Sequence, residues 1–291
     1  MMPIAWLLTA CEQKPTQPLP ASATLPASLP SGTSTATPTL NIPSPTPLPL
    51  AARVNGEPLT LAAYQLELSL YQASGVNLAA DAGQFVLDNL IDETLLAQAA
   101  RQAGFVADET ALQQRLERLA AQMGGAASID AWLADNGYSQ GDFHQTLKRA
   151  VEAAWMRDRI IAAVPSSAEQ VHARQILLYN SAEAEQVLAQ IRAGADFAKL
   201  ALTYDPLMGG ELGWFPQGYL PEAALEQAAF ALQPGEYSAV IQTPLGFHIL
   251  QVVERQADRP LTADVRLILQ EKALARWLSE RRLQSHIETI P

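Results

Sequence analysis

Gly209-Gly210-Glu211-Leu212-Gly213-Trp214-Phe215 and Gly246-Phe247-His248-Ile249-Leu250-Gln251-Val252-Val253 are the stretches whose reading decides the fold. The first cannot be a regular helix, because glycines surround its one bulky cluster. The second is a short apolar run opened by a glycine and reads as a buried terminal strand. Upstream, Ala173 to Tyr179 is another β-rich run. Ala182 to Ala193 then carries Ala184, Val187, Leu188 and Ile191 at helical spacing and stops at Gly194. Asp196 starts a second short helix through Ala201, a helical stretch surrounds Glu222–Leu232, and Pro234-Gly235 makes a turn. Together these elements predict an α+β module over residues 168–257, about ninety residues and within the range that folds alone.

Working outward, residues 51–165 read as a helical domain. Ala52-Arg53-Val54-Asn55-Gly56-Glu57-Pro58-Leu59-Thr60 is a short strand, an Asn-Gly turn and an N-capping threonine. Asp81 to Ala103 places Leu90, Ile91, Thr94 and Leu95 along one face and is ended by Gly104. Asp108 caps a helix with Leu112, Leu116, Leu119 and Met123 on one stripe, and Gly124-Gly125 stops it. Ser128 begins a short helix closed by Gly137, and Ser139 opens a long one through Val164 with Phe143, Leu147, Val151 and Trp155 on its apolar stripe. These stripes are core-packing faces, and His144 beside them reads as a surface or capping residue. Residues 260–291 hold a further helix, Thr262 to about Ser285, with Val265, Leu269, Leu274 and Leu278 as its apolar face.

The first fifty residues are of a different kind. Met2 to Ala10 is short and apolar and ends in Leu8-Thr9-Ala10-Cys11, which resembles a bacterial lipoprotein signal over residues 1–11, with Cys11 as the lipidated residue. No Lys or Arg precedes the run, a departure from that signal. Residues 12–50 are Pro, Thr, Ser and Ala with about half of the prolines of the chain, a composition that cannot build a core and serves as a semi-stiff disordered spacer. The expected address is therefore extracytoplasmic, at the cell surface or in the periplasm, with a lipid anchor in the membrane. A formal net charge of -11 without a basic block repels a nucleic-acid backbone. One cysteine and four histidines without paired spacing predict no metal site, and nothing in the chain calls for a cofactor.

Five fragments of the 168–257 module occur in the order and spacing of the parvulin-type (PpiC, rotamase) peptidyl-prolyl isomerases. They are His172-Ala173-Arg174-Gln175-Ile176-Leu177, Gly194-Ala195-Asp196-Phe197, Gly209 to Phe215, Leu232-Gln233-Pro234-Gly235-Glu236-Tyr237-Ser238 and Gly246-Phe247-His248-Ile249-Leu250. The start of the helical part, Val54-Asn55-Gly56-Glu57-Pro58-Leu59-Thr60, resembles the all-α N-terminal domain of the SurA and PrsA foldases. In those the last helix of the chain returns to complete that domain, so the helix of residues 260–291 is expected to pack on the helical domain here. The resemblance implies a small antiparallel sheet with surrounding helices at residues 168–257, carried on that helical domain.

For function, the resemblance implies rotation of Xaa-Pro bonds in unfolded or partly folded exported polypeptides. Mapped by motif, Leu212, Leu220, Leu225 and Phe230 form the apolar pocket for the proline ring, and Asp205, Thr243, His248 and Gln175 form the polar, catalytic set. Three departures stand out. Gln175 replaces a histidine usual in the family, the loop from Tyr204 to Gly209 is short, and Glu211 replaces an aspartate. The first two make the alternative a weakly active or non-catalytic chaperone that uses the parvulin fold to bind peptides, and Glu211 is a milder change. The link from Tyr179 to Ala182 has no Lys or Arg, so recognition of phosphoserine before proline is not expected.

Overall fold

The structure, a computed structural model, describes residues 49–75 and 81–290. The expected signal with Cys11, and the spacer up to residue 48, lie outside them. The chain divides into two units, Met1–Ala154 with Ser285–Pro291, and Trp155–Gln284.

The first unit opens with a hairpin, β1 (Leu50–Val54) and β2 (Glu57–Thr60). Asn55 and Gly56 both take positive φ, 52° and 83°, as a two-residue turn that follows the strand twist requires. Helices α1 (Leu61–Ala73), α2 (Ala82–Gln102) and α3 (Glu109–Met123) follow. Their N-caps are Thr60, Asp81 and Asp108, each accepting a backbone N–H three residues on. Helix α4 (Ala126–Asp135) starts directly after Gly125, earlier than the Ser128 expected, because Gly124 and Gly125 both adopt positive φ and reverse the chain in place. In α5 (Gln140–Ala162), Ser139 Oγ accepts the Asp142 N–H at 3.0 Å.

Leu59, Leu90, Ile91 and Leu95 pack in one buried cluster, and Leu66, Leu119, Ile129 and Phe143 in another. His144 lies at the surface, paired with Glu109 at 2.7 Å. The buried Glu152 carboxylate is matched by Arg101 at 2.6 Å, the kind of pairing a desolvated charge needs.

The second unit contains β3 (Ser167–Leu178), α6 (Ser181–Arg192), α7 (Phe197–Tyr204), β4 (Glu211–Pro216) and α8 (Ala223–Ala231). It continues with β5 (Ile241–Thr243), β6 (Gly246–Pro260) and α9 (Ala263–Leu283). The antiparallel sheet has the order β4-β3-β6-β5. Strands β3 and β6 run past the apolar stretches that announced them, because their polar extensions pair with each other, Ser167 with Pro260 and Gln170 with Gln256. Local hydrophobic pattern carries no signal for such a pairing.

Alternation along the strands divides the apolar side chains between the two sheet faces. Ile176, Leu178 and Ile249 meet Ala184, Val187, Leu188 and Phe197 of α6 and α7. Val171, Ala173, Leu250 and Val252 meet Phe215, Leu225 and Ala229 on the opposite side.

The C-terminal helix forms where the sequence put it, but α9 belongs to the second unit. The chain returns to the first unit through a strand instead, β7 (Ile287–Thr289), which pairs with β1 in a sheet of order β2-β1-β7. The first unit is thus helical in bulk and not purely so. Asn55 N–H donates to the His286 carbonyl at 2.8 Å, and the Asn55 side-chain oxygen accepts the His286 N–H at 2.9 Å.

Candidate active site

The polar residues singled out in the sequence come from three strands. Gln175 lies on β3, Thr243 ends β5 and His248 lies near the start of β6. Gln175 pairs in register with Leu250, and His248 with Ile241. Since directly opposed residues point to one face, both polar side chains fall on the face that carries the Leu225 cluster.

His248 is 1% exposed, and both ring nitrogens are engaged. Nδ1 lies 2.8 Å from Gln175 Oε1, and Nε2 lies 2.8 Å from Thr243 Oγ1. An amide oxygen only accepts, so Nδ1 carries the proton and Nε2 accepts from the threonine hydroxyl. Thr243 Oγ1 in turn accepts the Leu245 N–H at 3.1 Å. Donors therefore run one way, from the β5–β6 turn through Thr243 and His248 to Gln175. Burial pushes the imidazole pKa below its ordinary value, against a smaller upward pull from the Glu222 carboxylate. The ring is neutral at physiological pH and acts as a fixed hydrogen-bonding hub. Gln175 is half-buried, and its amide NH2 bonds to no other described residue.

Asp205 is not part of this chain of bonds. It ends α7, and its carboxylate turns into its own short loop, where Oδ1 accepts the Met208 N–H at 3.1 Å and Oδ2 the Gly210 N–H at 3.0 Å. Those bonds, Met208 first, hold its pKa below the usual carboxylate value. The Gly210 carbonyl accepts the Gln175 N–H at 2.8 Å, so Asp205 is joined to the hub through one backbone step. Gly210 has φ +68°, and a Cβ there would lie 1.8 Å from the Gln175 carbonyl oxygen. Only glycine permits that approach.

The four apolar residues expected to seat a proline ring fall in a single cluster. Leu225 is buried, while Leu212, Leu220 and Phe230 are partly buried around it, with Phe230 edge-on to Phe215. Leu220 is held by a residue the motif reading missed. Glu226 on α8 accepts the N–H of Gly218 at 2.8 Å and of Leu220 at 3.0 Å. Ser238, which ends the fourth motif fragment but is assigned no role there, ties its segment to β6 by accepting the Leu250 N–H at 2.9 Å. Neither role has a local sequence signal, because each is fixed by a loop closing onto another element. Among the described residues no group of His, Cys, Asp and Glu side chains is arranged to hold a metal ion.

Residues 160–254 match the family model of the rotamase, the PPIC-type PPIase domain. The chain is 31% identical over 211 residues to the chaperone SurA of Thiobacillus denitrificans, covering 59% of this chain and 47% of that protein. It is 30% identical over 210 residues to the chaperone SurA of Ralstonia nicotianae, covering 59% and 42%. The chain thus spans about half the length of the curated relatives it matches. Among solved structures, the peptidylprolyl isomerase PrsA from Bacillus anthracis is similar at 20% identity, over 68% of this chain and 96% of that one, with a TM-score of 0.43.

Proposed function

We propose, for a chain whose residues 160–254 are a PPIC-type rotamase domain, that it turns Xaa-Pro bonds between cis and trans in exported polypeptides as they fold. The bond resists rotation by about 18–20 kcal/mol because of amide resonance, and each 1.36 kcal/mol removed, roughly, speeds rotation tenfold. No bond needs to be made or broken. Twisting the amide removes its charge separation, so an apolar seat favours the twisted form over the planar one. Leu225 would be the floor of that seat and Leu212, Leu220 and Phe230 its rim. The Gln175 NH2 would hold the substrate carbonyl while the prolyl side turns, with His248 and Thr243 fixing its orientation and Asp205 fixing the neighbouring loop.

The observation that carries this reading is the His248 ring held at 2.8 Å on both sides, directly across from Ile241 of the apolar cluster. Such bonding gives Gln175 one orientation without asking the imidazole to change charge. The test is a proline-isomerisation assay on an unphosphorylated Xaa-Pro peptide. A rate above buffer that falls in Gln175→Leu supports the proposal, and no acceleration at high protein concentration refutes it.

A second reading, a chaperone that grips clients with little or no catalysis, is favoured by the apolar surface of the same unit. Tyr179, just past the end of β3, Leu207 and Met208 in the Asp205–Gly210 loop, and Leu245 in the β5–β6 turn are 81%, 92%, 66% and 59% exposed. Suppression of client aggregation by a protein without isomerase activity would select it.

The proposed setting is extracytoplasmic, with Cys11 lipidated and residues 12–50 as the tether, and with no nucleic-acid partner. The composition of those residues supports this, and no helix among the described residues is long and apolar enough to cross a membrane. Loss of membrane association in Cys11→Ser is its check.

A further inference from the structure

The loop that carries Leu220 is gripped from two directions. From α8, Glu226 accepts the N–H groups of Gly218 and Leu220. From α9, the Lys272 ammonium donates to the carbonyls of Gly218 at 2.7 Å, Tyr219 at 2.8 Å and Leu220 at 3.3 Å. One carboxylate and one ammonium thus share the backbone of three successive residues, donors to one side and acceptors to the other. Leu269, one turn before Lys272, approaches the same loop, since a Cβ on Gly218 would lie 3.4 Å from its Cδ2. Helix α9 begins at Ala263, beyond the end of the matched rotamase segment at residue 254. It buries no residue completely, so its docking here is not explained by core packing.

We infer that Lys272 is a positioning residue for the prolyl seat, acting from outside the rotamase segment by clamping the Gly218–Leu220 loop against Glu226 and so fixing the Leu220 side of the rim. The inference rests on the reading of Leu212, Leu220, Leu225 and Phe230 as that seat. Three charge-assisted bonds from one ammonium set the backbone of the rim, and the chemistry itself is left to the Gln175–His248–Thr243 set. Loss of the clamp therefore weakens binding of planar and twisted amide alike, which raises KM and spares kcat.

The experiment uses the full chain with Lys272→Met, Lys272→Arg and the rim variant Leu220→Ala. Two readouts are taken. Amide hydrogen exchange at Gly218 and Leu220 reports the clamp without reference to catalysis. Prolyl-peptide KM and kcat, or peptide Kd if turnover is absent, report the seat. Lys272→Met is expected to speed exchange at both amides and raise KM or Kd about three- to tenfold, the size of one ordinary net hydrogen bond, with kcat unchanged. The effect is no larger because the clamp is exposed and acts on the seat only through the loop. Lys272→Arg should restore most of both, and Leu220→Ala should raise KM without speeding exchange at Gly218. Unchanged exchange in Lys272→Met overturns the clamp. Faster exchange with unchanged KM and Kd overturns its link to the seat, as does a fall in kcat matched by a general loss of thermal stability. If the wild-type chain neither turns over nor binds a prolyl peptide, the functional reading fails, while the exchange result still decides the clamp.

Discussion

His248 and Gln175 meet diagonally across the β3–β6 pair, Nδ1 to Oε1 at 2.8 Å, although their register partners are Leu177 and Leu250. A directly opposed pair would stack side by side. The diagonal lets the amide reach along the strand to the ring. It also explains how a glutamine can stand where the family has a histidine, since its oxygen supplies the one acceptor the Nδ1 proton needs.

Gln175→Leu should therefore be costly beyond the loss of one bond. It leaves the Nδ1–H of a ring that is 1% exposed without a partner. An orphaned buried donor costs about 1–3 kcal/mol. Urea unfolding of the second unit should show a loss of that size, and isomerisation should fall with it. Gln175→His, which keeps a polar ring at the position, should lose much less of both.

Acid should act on the second unit through His248. Burial lowers its pKa in the folded state, so the unfolded chain binds the proton first. Stability from this group is complete above the unfolded pKa, near 6.5, and is lost as pH falls from there through the lowered folded pKa. Isomerisation should be flat from about pH 6.5 to 8, because no participating group changes charge there. The check is an NMR titration of the His248 ring, which should stay neutral with Nδ1 protonated down to a pH below the 6.5 of an ordinary imidazole. A whole-chain melting curve is the wrong probe, since Glu67 in the first unit, raised to about 7 by burial, works in the opposite direction. A His248 ring that charges at or above the ordinary imidazole pKa would contradict the burial assigned to it.

What was legible in the sequence follows from the range of the forces involved. The caps at Thr60 and Asp108 act within three residues and are legible where they form, while Asp81 reads only as the start of its helix. The meeting of Gln175, Thr243 and His248 followed from motif order, and strand alternation explains why they share a face with Leu250. Asp205 read as a member of that set, whereas its carboxylate is consumed by Met208 and Gly210. A loop this short closes on its own backbone, and residue identity does not say which donors will be nearest. The polar extensions of β3 and β6, strand β7 and the Lys272 contact depend on partners tens of residues away, as Gly218 is from Lys272. Periodicity carries no record of such partners.

Gly210→Ala tests the backbone step between Asp205 and the hub. The added methyl would overlap the Gln175 carbonyl at 1.8 Å, and the φ of +68° is unfavourable for any Cβ. Strand β3 cannot yield without moving Gln175. A loss of about 3 kcal/mol or more is expected, of the class caused by overpacking and backbone strain together. Asp205→Asn keeps one acceptor and should leave the fold intact while loosening the loop. Near-wild-type stability and activity in Gly210→Ala would mean that the loop and β3 are not joined as described.

Catalysis and client holding should separate at the exposed loop. Leu207 and Met208 are 92% and 66% exposed on the turn whose backbone Asp205 holds, and neither is needed to pack the sheet. Exposed bulky apolar groups gain free energy only when something covers them, roughly 25 cal/mol for each Å² buried. An unfolded segment bound beside Gln175 is the natural cover under either reading of the function. The double substitution Leu207→Ser, Met208→Ser should leave the unfolding midpoint unchanged, because Met208 engages Asp205 through its backbone N–H alone. Affinity for an unfolded, apolar-rich polypeptide should fall by about tenfold, equivalent to about 1.4 kcal/mol, and the turnover of a short Xaa-Pro peptide should change little. Equal loss on the long client and the short peptide would mean that the loop belongs to the prolyl seat itself and is not a separate gripping edge.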